Sequence, residues 1–236
     1  MAVSAPSFDL KKWVHDIRFW IVVLFLLRLF HITNPPLEVS HNWRQTTVNM
    51  VARNFLETDQ RIFYPRVDFA GEMTGITGME FPFLNYLIYL CSLVFGYAHW
   101  YGRLINLIVS SMGLYFFYRL IQKYFSTPLA FKSTILLALS VWFTYSRKIM
   151  PDTFSMSLIL AGFYFGSNYL ENRKINQLFL YALCTLFGLL SKLPSGYILV
   201  LFAAFLGNSK FPRNTRIAFA LTSLAVVSVA SAYYFF

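Results

Sequence analysis

Long apolar stretches alternate with short, positively charged segments along most of this 236-residue chain. A helix needs about 20 apolar residues to cross the hydrocarbon core of a bilayer. By this measure the sequence predicts membrane spans near 17–33, 104–121, 128–146, 153–170 and 217–236. A shorter apolar run covers 82–96, and an interrupted pair of runs covers 176–191 and 196–208. The pattern predicts an all-α fold, a polytopic transmembrane helix bundle.

The segment 34–98 is the longest part of the chain that the main spans leave outside the bilayer. Six of the ten acidic residues lie in it, namely Glu38, Glu57, Asp59, Asp68, Glu72 and Glu80. Residues 41–56 have an amphipathic helical pattern suited to the membrane surface. Its apolar side carries Trp43, Val48, Met50, Val51 and Phe55, and Arg44, Gln45, Asn49 and Arg53 lie elsewhere. The Pro and Gly residues of 64–82 predict an ordered loop with tight turns. We expect 34–98 to be the first extracytoplasmic loop, with amphipathic juxtamembrane helices. The simpler alternative is a solvated connector.

The composition narrows the class of protein. Hydrophobic residues make up 57% of the chain and charged residues only 13%, which excludes an ordinary soluble globule and a disordered chain. The formal charge of +10 does not indicate nucleic acid as a partner, because the basic residues lie between apolar spans and not in one patch. Cys91 and Cys184 lie in apolar runs, which excludes a disulfide framework and a Cys-rich metal site.

The distribution of basic residues predicts the orientation in the membrane. With the N-terminus in the cytoplasm, the inner segments carry 11 of the 20 basic residues and only three acids, as the positive-inside rule requires. The first apolar run keeps Arg28 and lacks a cleavage site, so we expect an uncleaved anchor. We expect a multi-pass protein of the cell (inner) membrane, with 1–236 as a single transmembrane domain. Because the last span reaches Phe236 without a polar tail, we expect the N-terminal part of a longer chain.

Three basic residues stand where charge is costly in a membrane protein, which makes them functional candidates. Arg147 and Lys148 follow the span 128–146, and the alternative for them is a local salt bridge to Asp152. Lys192 lies in a break, Ser-Lys-Leu-Pro-Ser-Gly at 191–196, between two arms that are each too short to cross comfortably. Unwound backbone at that depth must be covered by protein or face a polar cavity. Lys192 therefore either snorkels to the interface or faces a buried anion.

Together these residues predict one outward-facing cavity. Its wall is the carboxylate-rich loop, and its rim consists of Arg44, Arg66, Arg147, Lys148 and Lys192. Such cations suit the phosphate of a lipid-linked leaving group, while a carboxylate can deprotonate an acceptor hydroxyl as general base. A soluble nucleotide donor is disfavoured, because the chain has no Gly-rich phosphate loop and no β-α-β alternation.

Several short motifs also resemble a known family in their order and approximate spacing. They are Pro-Leu-Glu38-Val-Ser-His41-Asn-Trp43-Arg44-Gln45, Ala52-Arg53-Asn54-Phe55, Tyr64-Pro65-Arg66-Val67-Asp68, Glu80-Phe81-Pro82, Gly102-Arg103-Leu104, Ser146-Arg147-Lys148-Ile-Met-Pro151-Asp152 and Lys192-Leu-Pro194. Over about 15–210 the chain resembles the N-terminal half of the family 39 glycosyltransferases with the GT-C fold. These are membrane transferases that depend on polyprenyl- or dolichyl-phosphate sugars.

The resemblance implies roles for particular residues. An acid just after the first span acts as catalytic base in that family, and Glu38 is the nearest carboxylate here. The family usually has Asp with a second acid close by, so either Glu38 acts alone or His41 shares the role. The resemblance also implies that Glu80 and Asp152 line the substrate site. Lys192 would lie against the lipid phosphate.

The predicted function is therefore transfer of a hexosyl or pentosyl group from a polyprenyl-phosphate donor to an acceptor on the extracytoplasmic side. We expect no required cofactor, although clustered carboxylates and His41 could hold a divalent metal. The alternative function is a transporter or flippase of a lipid-linked anion, although such proteins usually show paired broken helices and only one break is seen. A third hypothesis is a non-catalytic scaffold. The sequence does not identify the acceptor.

Overall fold

A computed structural model describes residues 13–37, 41–207 and 210–235. Its helices are α1 (Ile17–Leu29), α2 (Asn42–Glu57), α3 (Phe83–Phe95), α4 (Tyr101–Tyr124), α5 (Thr127–Ala138), α6 (Val141–Thr144), α7 (Pro151–Asn172), α8 (Ile175–Ser191), α9 (Phe202–Gly207) and α10 (Arg213–Phe235). Short 3-10 helices cover Tyr145–Arg147 and Leu193–Leu201. Within these residues the β pairing is one isolated bridge, between Arg66 and Ile76. The predicted all-α helical bundle is confirmed.

Helix α7 lies at the centre of the bundle, between α4 and α8. Small residues let it approach both neighbours closely, as is common between membrane helices. A methyl group added at Gly113 of α4 would lie 2.5 Å from Cβ of Ser157 in α7. On the other side, a methyl group at Gly162 of α7 would collide with Thr185 of α8. These contacts fix the position of α7, whose first turn carries part of the site described below.

The chain reverses direction after α8, at the break that the sequence predicts. Helix α8 ends at Ser191, and the 3-10 segment Leu193–Leu201 leads back along it. Phe202 packs against Tyr181 of α8, with ring centroids 5.3 Å apart, and stacks on Phe163 of α7 at 4.0 Å. Since Tyr181 and Phe202 lie at similar distances in sequence from Lys192, their contact shows a hairpin whose tip is Lys192.

Two described helices, α4 and α10, are long and apolar enough to cross a membrane. The expected continuous span 128–146 is wrong in one respect, because the chain bends by 58° between α5 and the segment Val141–Arg147. The Oγ atom of Ser140 accepts a hydrogen bond from the N–H of Phe143, which caps a new helix instead of continuing the old one. Counted as one broken span, this pair would be a third crossing.

Helix α2 packs on α3, and its buried face is more polar than the sequence pattern suggests. Val48, Val51 and Phe55 are buried as the amphipathic pattern predicts, but Gln45 is buried as well and Trp43 is 69% exposed. The assignment of Trp43 to the apolar face and of Gln45 to the polar face is therefore wrong. The reason is that Oε1 of Gln45 accepts two hydrogen bonds inside the protein, which offset part of the cost of leaving water.

The turn-rich loop between α2 and α3 is ordered as expected. The N–H of Val67 donates to the carbonyl of Gly75 at 2.9 Å, beside the bridge from Arg66 to Ile76. Gly75 has a φ of +73°, and a Cβ there would lie 2.5 Å from the carbonyl oxygen of Val67. Only glycine satisfies both conditions.

Candidate functional site

Four of the predicted site residues form one ion-pair cluster. The Oε1 atom of Glu80 accepts hydrogen bonds from Nη2 of Arg44 and from Nζ of Lys192, each at 2.8 Å. Oδ1 of Asp152 lies 3.9 Å from the same Nζ. The side chains of Arg44, Glu80 and Lys192 are between 23% and 32% exposed, so the cluster is partly shielded from solvent. We call these four residues the Glu80 cluster.

The backbone on both sides of Glu80 is anchored to the helix ends around it. The hydroxyl of Tyr233 donates to the carbonyl of Met79 at 3.3 Å, and the N–H of Phe81 donates to the carbonyl of Leu190 at 3.1 Å. These two bonds bring the loop before α3 to the ends of α8 and α10. Glu80 therefore faces Lys192 because its neighbours are tied to the helices.

Lys192 is held in a similar way from α7. The hydroxyl of Ser155 donates to the carbonyl of Gly188 at 2.6 Å and reaches the carbonyl of Lys192 at 3.4 Å. Asp152 lies one turn earlier on α7 and so meets the Lys192 side chain. Thus the carboxyl end of α8, where the last carbonyls of a helix need partners outside it, is bonded to the amino-terminal turn of α7.

The environment of Glu80 keeps it ionised near neutral pH. Burial raises the pKa of Glu80, but hydrogen bonds from Lys192 and Arg44 outweigh burial, and the pKa lies below its ordinary value. The cavity beside it, which Arg44, Leu84, Pro151 and Ser191 help to line, measures about 10 Å³, the size of about one water molecule. Two cations and two carboxylates are therefore packed together, with donor groups that an external phosphate oxygen could share.

A second group of predicted residues adjoins the cluster along the same two segments. His41, at the amino end of α2, has its ring 5.1 Å from that of Tyr145. Nζ of Lys148 lies 5.7 Å from the centre of the same tyrosine ring. Nη2 of Arg147 donates to the carbonyl of His31 at 2.8 Å. His41 and Arg44 are one turn apart at the start of α2, and Tyr145, Arg147, Lys148 and Asp152 lie in one short segment. The second group therefore adjoins the Glu80 cluster.

The Arg103 side chain, for which the sequence analysis gave no role, ties these segments together. It is completely buried at the start of α4. Its guanidinium donates to the carbonyls of Ile32, at 3.1 Å, of Asn34, at 2.5 Å, and of Pro35, at 3.2 Å. Its Nε donates to Oε1 of Gln45 at 3.2 Å, and that oxygen also accepts from the N–H of Ile149 at 3.3 Å. Arg103 thereby fixes the chain just before Glu38.

Asn106, one turn after Arg103, holds the loop that carries Arg147 and Lys148. Its fully buried amide nitrogen donates to the carbonyl of Lys148 at 2.7 Å and to Oγ1 of Thr153 at 2.9 Å. Polar residues three apart on an apolar helix share one face, and their cost inside a membrane protein marks them as candidates. That spacing was the signal in the sequence for Arg103 and Asn106.

The other predicted residues lie elsewhere or are not described. Arg66 contacts Asp59 at 3.3 Å and donates to the carbonyl of Thr74 at 2.5 Å, within the loop and not in the Glu80 cluster. Hydrogen bonds from Arg61 and Arg66 hold the pKa of Asp59 well below its ordinary value. Glu38 lies outside the described residues. In the described part of the chain, no three His, Cys, Asp or Glu side chains are grouped to hold a metal ion.

The contacts bear on the alternatives given for the pair Arg147 and Lys148 and for Lys192. Asp152 has Lys192 as its ion-pair partner among the described residues, and not Arg147 or Lys148 as the local salt-bridge alternative required. The ammonium group of Lys192 turns to Glu80, so the contacts favour the alternative in which it faces an anion. The contact between Lys192 and Glu80 joins the helix break to the acidic loop, as the single-cavity hypothesis requires.

The fold and this site define a helical membrane protein with a charged cluster at one end of its bundle. A profile of the family described as dolichyl-phosphate-mannose-protein mannosyltransferase matches residues 80–234, about two thirds of the chain. The chain belongs to this family and is therefore a member of a family of membrane glycosyltransferases. No curated protein and no solved structure matches it. The matched range includes Glu80, Asp152 and Lys192.

Proposed function

We propose that this protein transfers a hexosyl group, such as mannose, from a polyprenyl- or dolichyl-phosphate donor to an acceptor hydroxyl. The observation that carries the proposal is the contact of Lys192 with Glu80 and Asp152, beside Arg44. This contact brings Lys192 and Arg44 together at the tip of a helix hairpin, where we propose that the phosphate of a lipid headgroup binds. The family to which the chain belongs supports the choice of donor.

In this proposal Lys192 and Arg44 bind the phosphate that leaves with the lipid. When the bond between the sugar C1 and the phosphate oxygen breaks, negative charge grows on that oxygen. Ammonium and guanidinium groups placed there stabilise it more in the transition state than in the ground state. Glu80, which shares one oxygen between both cations, orients them before the donor arrives.

The acceptor hydroxyl attacks C1, and a general base takes its proton. We assign this role to Glu38, acting alone or together with His41, on the resemblance described above. The described residues on either side favour this position. Arg103 fixes the carbonyls of 32–35, and His41 lies against Tyr145 in the segment that leads to Asp152.

An apolar groove beside α7 is suited to the lipid tail. A cavity of about 260 Å³ is lined by Phe117, Leu137, Trp142, Met156, Leu160, Tyr197 and Ile198. Met156 lies four residues after Asp152 on α7, and therefore on the same face of the helix. Tyr197 lies five residues after Lys192. We propose that the polyprenyl chain enters this groove while its phosphate lies at Lys192.

We further propose that the site faces away from the cytoplasm, with the N-terminus inside and the protein in the cell (inner) membrane. The charge distribution along the sequence supports this orientation. No cofactor is required in the proposed reaction, because positioned cations and one base are enough for it.

The test is replacement of Lys192 in the complete protein, reconstituted with polyprenyl-phosphate mannose and an acceptor. Lys192→Met should lower kcat/KM roughly 10- to 100-fold, because a charge-assisted hydrogen bond to phosphate is lost. Lys192→Arg should recover part of it, since the charge is kept but its geometry changes. The matched control is Lys174→Met, at the exposed opposite end of α8, which should behave as wild type.

Full activity of a folded Lys192→Met protein would remove this residue from the mechanism. Movement of the lipid-linked sugar across vesicles with no covalent product would instead support the transporter alternative. A thermal unfolding measurement on each variant shows whether a loss of activity reflects a loss of fold.

A further inference from the structure

The end of the bundle opposite the Glu80 cluster contains a polar cavity between the start of α1 and the end of α4. Its volume is about 360 Å³, and the residues that line it include Asp16, Arg18, Tyr115, Tyr118, Arg119 and Gln122. Arg119 lies 16 residues after Arg103 on α4, which corresponds to about 24 Å along the helix axis. This cavity is therefore separate from the proposed transfer site.

The polar cavity is rich in hydrogen-bond donors. Nη1 of Arg119 donates to the hydroxyl of Tyr115 at 3.0 Å, and Nε2 of Gln122 donates to the hydroxyl of Tyr118 at 3.1 Å. A tyrosine hydroxyl that accepts a bond keeps its own proton for donation. Two tyrosine hydroxyls and two guanidinium groups thus surround the same space. An anionic ligand with several oxygens fits this donor set.

The carboxylate in this cavity does not cancel its positive charge. Both oxygens of Asp16 are bound by Arg18, through Nε at 3.1 and 3.0 Å and through Nη2 at 2.6 Å. This pairing fixes the guanidinium of Arg18 at the cavity, and Nη1 takes no part in it. Among the described residues that line the cavity, the two arginines and Asp16 leave a net charge of +1, with histidine neutral.

An apolar groove continues from the polar cavity along the same two helices. It has a volume of about 650 Å³, and Ile21, Val22, Phe25, Ile108, Met112 and Phe116 contribute to its lining. Arg18 and Tyr115 line both spaces, so the two are continuous. From Arg18 to Phe25 the groove extends for seven residues of α1, about 10 Å. The polar cavity, which is rich in hydrogen-bond donors, and the apolar groove therefore form one composite site.

We infer that this composite site binds one anionic phospholipid, with its phosphate between Arg18 and Arg119 and an acyl chain along the groove. A soluble anion would fill the polar part and leave the apolar part uncovered. A zwitterionic lipid would bring a cationic group to a positively charged lining, whereas basic pockets at helix ends favour anionic headgroups. Such a lipid is a structural ligand, and its binding does not depend on the transfer reaction.

The experiment is a lipid titration of the purified, delipidated protein followed by native mass spectrometry. Phosphatidylglycerol and phosphatidylcholine with identical acyl chains are compared, with inorganic phosphate as a competitor. Wild type should keep one phosphatidylglycerol molecule in preference to phosphatidylcholine. The double variant Arg18→Gln/Arg119→Gln should lose roughly tenfold or more in affinity. Lys132→Gln, which removes an exposed charge from α5 outside the cavity, is the matched control and should not.

Two milder variants keep the test decisive if the double variant fails to fold. Tyr118→Phe removes one hydroxyl donor without changing charge and should weaken binding roughly two- to tenfold. Met112→Trp fills the exposed groove and should weaken phosphatidylglycerol binding while the charges stay in place. Equal retention of both lipids, or equal losses in the Lys132 control, would show ordinary annular lipid and overturn the proposal. Displacement by inorganic phosphate would overturn it too, by showing a site for a free anion.

Discussion

Lys192 and Glu80 are 112 residues apart in sequence, yet Nζ of Lys192 donates to Oε1 of Glu80 at 2.8 Å. Arg44 donates to the same oxygen at the same distance. One carboxylate therefore connects three parts of the chain, namely the break after α8, the loop before α3 and the start of α2. The hypothesis of one cavity depends on this connection.

The ion pairs of Glu80 should make stability depend on acidity. The pKa of Glu80 is lowered in the folded state from an ordinary value of 4.5. The contribution is therefore fully present above pH about 4.5 and is lost as the pH falls through the lowered pKa. At pH 7 Glu80→Gln should be less stable by on the order of 1 kcal/mol. Thermal unfolding in detergent from pH 7 to 3 should show this difference shrinking, while the exposed Glu72→Gln matches wild type throughout. A difference independent of pH would contradict the assignment.

Arg103 should matter for the geometry of the site beyond its effect on stability. Lysine keeps the charge, but its ammonium group cannot donate to three carbonyls and to Gln45 at once, because it lacks the planar guanidinium group with its five N–H donors. Arg103→Lys should therefore cost about 2–4 kcal/mol of unfolding free energy. If the complete protein is assayed below its unfolding temperature, kcat should fall more than donor KM rises, because the carbonyls of 32–35 are released. Arg173→Lys, at the opposite end of the bundle, is the control. A folded Arg103→Lys protein with normal kcat would contradict this role.

Filling the apolar groove around Met156 should affect long-chain donors more than short-chain donors. Met156→Trp narrows the space beside α7 and should raise KM for a long polyprenyl donor roughly five- to tenfold, the equivalent of about 1 to 1.4 kcal/mol of apolar contact. A short-chain donor analogue should be affected little, because it does not extend into the groove. Leu136→Trp adds similar volume at a position that is 75% exposed on α5 and should leave both constants unchanged. Equal effects on long and short donors would place the lipid elsewhere.

The close contact between α4 and α7 predicts that position 113 does not tolerate a side chain larger than that of glycine. Gly113→Ala would place Cβ 2.5 Å from Cβ and 2.8 Å from Cα of Ser157, so the helices must move apart. We expect a loss of about 1–3 kcal/mol in unfolding free energy, measured by thermal or denaturant unfolding in detergent. Gly78→Ala, where an added Cβ has no neighbour within 4 Å, should be neutral. Equal stability of the two variants would contradict the packing.

The sequence predicted more of the Glu80 cluster than of its surroundings. Lys192 was visible as a candidate because a charge in an apolar break is costly, and Arg44 was visible as a cation of the predicted rim. Glu80 and Asp152 were assigned to the site through the resemblance. The hydrogen bonds of Arg103 to Gln45 and to the carbonyls of 32–35 were not predicted. A buried arginine that bonds backbone carbonyls has no sequence pattern of its own beyond its spacing from Asn106. Arg66 was assigned to the rim, but its nearer partner Asp59 holds it in the loop. The assignment of Glu38 as the base stays a prediction.

The sequence by itself determined the membrane class, the helical fold and the position of the break at Lys192. Each of these depends on local hydropathy and on the cost of polar groups in lipid, which are readable along the chain. The tertiary structure alone decided which charge meets which, because ion pairs between residues such as Lys192 and Glu80 arise from the packing of α7 and α8 and from the anchoring of the loop. It also decided where α5 bends and which polar side chains of α2 are buried. Such contacts depend on the geometry of distant segments, on which local pattern gives no information.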